Sequence, residues 1–236
     1  MIKEGRLNME SGDRVHSISS ILVAILVFGS LWGLFEISLG GAMRMTDFPY
    51  RSALLTGLGM GFITGMALAI YRKPVMAFGV GALAALTKLM VVPIQRVPIS
   101  CPANSCLAVM LEASALGFVA FFMIKKLDRN PYVQIFTGVS AALTGSMLFW
   151  IAGMHVAPCK YLLSFSGAPV EWIYKEGLIW ATFSGILFPA GYQAGVKLRS
   201  KVISVLIERP RLSLAGSVAL IMISLTLGAI SLKIGL

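Results

Sequence analysis

The sequence predicts an all-α fold: a polytopic transmembrane helix bundle of six core helices with a seventh helix at the C-terminal end. Three observations predict it. Charged residues make up 13% of the 236 residues and hydrophobic ones 57%, with a mean hydropathy of +0.85; a soluble domain averages about 25% charged. Apolar runs recur along the chain at about 20 residues, the length a helix needs to cross a bilayer's hydrocarbon core. The basic residues behind the net charge of +10 sit mainly in short connections between those runs. That placement fits membrane orientation and not nucleic-acid binding, which would need a basic and aromatic stripe on a polar surface.

The chain opens on a polar leader, residues 1–17, MIKEGRLNMESGDRVHS. The first apolar run, 18–40, is long enough to span and has no small-residue cleavage site before a soluble domain, so it reads as a retained helix. The second run is 52–71, SALLTGLGMGFITGMALAIY. The third to fifth are 75–93, 106–124 and 133–156. The sixth, 174–196, opens on Lys175 and Glu176, which places its first turn at the membrane interface. The seventh is 212–232. Residues 18–200 thus form a six-helix membrane domain, and 201–236 a basic connection and a final helix. Helices two and three carry small residues every four positions: Gly57, Gly61, Gly65 and Ala69, then Ala77, Gly81 and Ala85. Such stripes let helices approach closely. Packing within the chain is the first reading, and docking of another membrane subunit the second. The two helices share no repeat beyond this.

Counting Lys and Arg gives 13 on one side of the seven spans (the leader, 72–73, 125–129 and 197–211) and six on the other, with Lys88 inside a span. The excess predicts a cytoplasmic N-terminus in a multi-pass plasma-membrane protein. Cys101, Cys106 and Cys159 then all face outward, an oxidising compartment in a bacterial plasma membrane. A loop-stapling disulfide is the first reading. A metal site adding His155 is a second, although C-x4-C only touches the edge of the usual zinc spacing. A thiol redox centre is a third.

The charges within or beside the spans gather at the same end: Glu36, Lys88, Glu112 and Glu176. A charge at a helix centre costs about 2.5–3.5 kcal/mol on insertion scales. These groups therefore predict one outward-open polar cavity, with Lys88 paired to Glu112 or Glu36. Glu36 could instead snorkel to the headgroups, and Lys88 with Glu112 could be a structural ion pair. Arg44, Arg96, His155 and Trp172 complete the candidate ligand-binding set with Glu36, Lys88, Glu112 and Glu176. Trp150, Trp172 and Trp180, with Tyr161 and Tyr174, fit an aromatic belt at the outer interface, where one or two could stack on a ligand. GLGMG at 57–61 lies inside a span and is no dinucleotide fingerprint; no phosphate-binding loop or H-E-x-x-H motif is present. The sequence calls for no catalytic residue, no cofactor and no metal.

The order of features resembles the substrate-binding S component of energy-coupling factor (ECF) transporters. The similarity runs over residues 18–200, through the Gly/Ala-rich GLGMGFITGMALA and AFGVGALAALTK and the closing GLIWATFSGILFPAGYQAGVKL. The resemblance implies a small, vitamin-like ligand held near the extracytoplasmic face. Residues 43–49 would be the loop covering the pocket. It also implies a membrane coupling subunit and a pair of ABC-type ATPases as partners. The seventh helix and the weak alanine pattern in helix one depart from that family. Ile2 after Met1 departs from its metal-transporting members, which carry histidine there. A second function class is a thiol–disulfide or quinone-linked oxidoreductase using the three cysteines through a mixed disulfide; a third is a purely structural membrane subunit.

Overall fold

The structure is a computed structural model that describes residues 18–96, 100–156, 160–165, 169–208 and 210–234. The leader and Cys159 lie outside these residues. Seven long helices are present and no strand occurs among the described residues: α1 (Ile18–Met45), α2 (Arg51–Tyr71), α3 (Val75–Leu89), α4 (Ser100–Met123), α5 (Pro131–Val156), α6 (Leu178–Glu208) and α7 (Pro210–Lys233). Six of them are long and apolar enough to cross a membrane. The exception is α6, whose apolar face is diluted by Thr182, Ser184, Tyr192 and Gln193. Ser184 and Tyr192 are fully buried, so α6 turns polar groups into the bundle. At 31 residues, and 1.5 Å per residue, it is about 46 Å long and outruns a hydrocarbon core of about 30 Å. Its C-terminal half carries Lys197, Arg199 and Lys201.

Helix ends are encoded locally. Asn130 caps α5, its Oδ1 accepting the Tyr132 N–H at 2.8 Å, and Pro131 takes the first helical position, where a missing N–H costs nothing. Arg72 ends α2 in the left-handed region (φ 58°), its N–H bonded to the Leu68 carbonyl. Arg96 ends the short turn Val91–Gln95 in the same way (φ 53°).

The six core helices close a ring in the order α1, α3, α4, α5, α6, α2. Helix α2 is the most enclosed, with 78% of its apolar window buried, and α7, lying mainly against α1, the least, with 11%. The small-residue stripes are internal seams. A Cβ on Gly191 of α6 would stand 2.1 Å from the Phe62 carbonyl oxygen of α2, so only glycine permits the approach. Gly61 and Gly65 lie against Phe188 in the same seam, and Gly81 against Ala113 where α3 meets α4. This agrees with the packing reading of the stripes.

Three expectations are corrected. Cys101 and Cys106 are not in a connection, because α4 begins at Ser100. Five residues apart on one helix, their Cα atoms are about 8–9 Å apart, beyond the 4.4–6.8 Å a disulfide spans. Cys106 is a free, buried thiol that donates to the Ala85 carbonyl at 3.4 Å. The proposed covering loop at 43–49 is helical through Met45, leaving only residues 46–50 to turn the chain. Trp172 and Trp180 are not an interfacial belt. They are 0% and 2% exposed, and with Phe149 and Phe165 they form an aromatic core between α5 and the start of α6.

Candidate functional site

Alternating helix directions put residues 45–50, 90–96, 160–165 and 169–172 at one end of the bundle, and residues 71–75, 124–130 and 197–208 at the other. The polar interior lies towards the first. Glu36 (7% exposed) projects from α1. Its Oε1 accepts the Trp32 indole N–H at 3.2 Å, one helical turn back, and its Oε2 accepts from Lys88 Nζ of α3 at 2.5 Å. Lys88 also donates to the Ser105 hydroxyl of α4. Both ionised side chains are largely enclosed, at 13% for Lys88 and 5% for Glu36. Of the two partners the sequence offers Lys88, the structure selects Glu36, and this pair ties α1, α3 and α4 together.

Glu112, two turns further along α4 from Ser105, is buried at 3% exposure. Its Oε1 accepts from Thr56 Oγ1 of α2 at 3.0 Å, while its Oε2 has no hydrogen-bond partner. Gly145 of α5 packs flat against it; a Cβ there would come within 3.1 Å of the Glu112 Cα. One turn before Thr56, the Ser52 hydroxyl donates to Glu176 Oε2 at 3.4 Å. Four helices and the turn leading into α6 therefore bring Glu36, Lys88, Glu112 and Glu176 to one end of the bundle.

Two wide, π-helical turns flank this region. One is Gly57–Ile63 in α2 and the other Ile173–Gly177, just before α6. In the first, Gly59 lies under the Trp32 ring; a Cβ would fall 1.8 Å from Trp32 Nε1. Thr64 Oγ1 donates to the Gly59 carbonyl five residues back, at 2.9 Å, and so fills the widened turn. The bare glycine thus lets the Trp32–Glu36 face of α1 press onto α2.

The other candidates lie apart. Arg44, Arg96 and His155 are exposed at the same end and take no part in the hydrogen bonds described for the cluster. Trp172 donates to the Ser146 carbonyl at 3.0 Å within the aromatic core. Among the described residues no group of three or more His, Cys, Asp or Glu is arranged to hold a metal. A groove of about 550 Å³ opens between α3 and α4, lined by Leu86, Leu89, Cys106, Leu107, Met110 and Val156 among others. Its walls are apolar and it does not contain the charged cluster.

The sequence reading missed Thr56, Ser52, Ser105 and Trp32. Their signal was spacing: Trp32 with Glu36, and Ser52 with Thr56, are four-residue pairs on one helix face. It also missed a network at the far end. Asp128 Oδ1 accepts from Tyr192 OH at 2.7 Å and from Arg72 Nη1 at 2.8 Å, and Arg199 stands 3.9 Å from Oδ2. Gln134 bonds the Leu127 carbonyl and accepts from Gln193.

Together the apolar spans and the closed helical ring define a multi-pass helical membrane protein. Compared with family models, with curated proteins and with solved structures, the chain matches none of them.

Proposed function

We propose that this protein binds a small molecule at the Glu36–Lys88–Glu112 end of the bundle and takes part in its uptake. The observation that carries the reading is the convergence of buried ionisable groups from α1, α3 and α4, with Thr56 of α2, inside a lipid-embedded ring. Hydrocarbon makes such groups expensive, and ionisable groups within spans default to a functional reading. Glu112 Oε2 is buried without a hydrogen-bond partner, and a bound ligand would supply one.

The Lys and Arg excess at the Arg72 end favours a cytoplasmic location for that end. The binding end then faces outward, and the N-terminus is cytoplasmic in a plasma membrane. The resemblance to ECF S components supplies the rest of the proposal: a separate membrane coupling subunit and ABC-type ATPases would drive release. The oxidoreductase reading loses its dithiol, since Cys101 and Cys106 are separated along one helix.

The test is to purify the protein in mild detergent, denature it, and identify released small molecules by mass spectrometry. A stoichiometric compound in the wild type, depleted in Lys88→Met and Glu112→Gln, is expected. Wild-type protein that is folded and releases nothing, including after incubation with a metabolite extract, contradicts the reading.

A further inference from the structure

The hydrogen-bonding at this end has a sign. A line of oxygens runs inward from half-buried Glu176: Glu176 Oε2, the Ser52 hydroxyl and carbonyl, the Thr56 hydroxyl and the two oxygens of Glu112. Thr56 Oγ1 lies 2.9 Å from the Ser52 carbonyl and 3.0 Å from Glu112 Oε1. A hydroxyl has one hydrogen, so two acceptors share it. The Ser52 hydroxyl hydrogen is directed at Glu176. The two hydroxyl hydrogens thus serve Glu176, the Ser52 carbonyl and Glu112 Oε1, and Glu112 Oε2 has no hydrogen-bond partner at 3% exposure.

The charges lean the same way. Three acids, Glu36, Glu112 and Glu176, lie at this end with one buried base, Lys88, which spends two of its three N–H groups on Glu36 and Ser105. The nearby Lys175 is 63% exposed and pairs with Glu171, away from the line. An anionic or acceptor-rich ligand group would add acceptors where hydrogens are already short. A positive group reverses the deficit.

We infer that the group seated at Glu112 is a monocation, either a ligand's ammonium group or a bare alkali ion, guided inward along the Glu176–Ser52–Thr56 line. The inference rests on the small-molecule reading above and specifies its ligand's charge. An ammonium group donates N–H to Glu112 Oε2, and an alkali ion coordinates the same carboxylate and hydroxyl oxygens. Size is limited because Gly145 and Thr56 pack closely on either side of the carboxylate.

The experiment is thermal unfolding in lipid nanodiscs at fixed ionic strength. Methylammonium, sodium and tetramethylammonium chlorides are compared on the wild type, Glu112→Gln and Ser52→Ala. Tetramethylammonium carries the charge but has no N–H and is too bulky to reach the carboxylate. Methylammonium or sodium should raise the wild-type Tm by about 3–6 °C over tetramethylammonium, the size expected of a ligand near ten times its Kd. The increment should vanish in Glu112→Gln and shrink in Ser52→Ala. An effect of methylammonium alone assigns an ammonium-bearing ligand; an effect of sodium alone assigns an alkali ion. No difference among cations in the wild type overturns the inference, as does an increment that survives Glu112→Gln. Should Glu112→Gln fail to fold, an unchanged increment in Ser52→Ala overturns it. Failure here is separable from failure of the underlying reading. A co-purifying anion lost in Lys88→Met keeps the small-molecule site and removes only its charge assignment, whereas a protein that binds no small molecule removes both.

Discussion

The two ends of the bundle use the same chemistry to opposite effect. At the Arg72 end, Asp128 receives Tyr192 and Arg72, with Arg199 close by, and Gln193 donates to Gln134, which donates in turn to the Leu127 carbonyl. Asp128 is 38% exposed and Arg72 23%, so this network is open to solvent. At the Glu36 end the ion pair is enclosed, acids outnumber bases, and a buried carboxylate oxygen has no donor. The contrast is between a partly solvated network and an enclosed one with more acids than bases; on the reading proposed above, the first fastens helices and the second receives a ligand.

The largest test of that contrast is Lys88→Met. It leaves Glu36 as an unpaired buried carboxylate, a change that costs about 3–5 kcal/mol. Equilibrium unfolding in mixed micelles should show that loss, with most of it recovered in the double variant Lys88→Met/Glu36→Leu. A loss under about 1 kcal/mol would place the pair in a wetter setting than this, like the pair at the other end. Next is Gly191→Leu, which attacks the seam of α2 and α6 that connects both ends. With Phe62 backbone in the way, over-packing should cost about 1–3 kcal/mol or more. It should also loosen both ends together, seen as faster amide exchange in Thr56-containing and Tyr192-containing peptides alike.

Tyr192→Phe removes one donor from Asp128 and should cost about 0.5–1.5 kcal/mol in the same unfolding measurement. It should leave ligand release at the Glu36 end unchanged. Smallest is Arg199→Ala: at 3.9 Å and partly exposed, it should cost less than about 1 kcal/mol. That small effect should fade as salt is raised. A salt-insensitive loss would mean the Asp128 network is drier than its exposure indicates.

Much of the fold was legible because lipid imposes simple rules. Apolar length marked α1 to α5 and α7 to within a few residues at most ends, and the small-residue stripes marked close-packing faces on α2 and α3, whose partners, α6 and α4, only the structure names. Helix starts were less legible. α4 begins six residues before the expected 106, because Pro102 and polar Asn104 and Ser105 look like a connection but fit a helix's first turns, where a proline is tolerated. That shift removed the Cys101–Cys106 disulfide, while Cys159 lies outside the described residues. The gathering of Glu36, Lys88 and Glu112 was legible from the cost of charge in hydrocarbon. Which carboxylate took Lys88 was not, since rotation of α1 and α4 about their axes is set by contacts such as Trp32 on Gly59 and Glu112 on Gly145. Trp172 and Trp180 misled for a related reason. Tryptophan near a helix end suits an interface, but four aromatic rings packing on each other bury more surface than a belt does.

The most direct measurement is native mass spectrometry of three proteins released from the same lipid nanodiscs: wild type, Glu112→Gln and Asp128→Asn. Wild type and Asp128→Asn should each carry a bound small molecule, and Glu112→Gln should appear as the bare chain. Loss of the bound species in Asp128→Asn but not in Glu112→Gln would contradict the account, as would three bare chains.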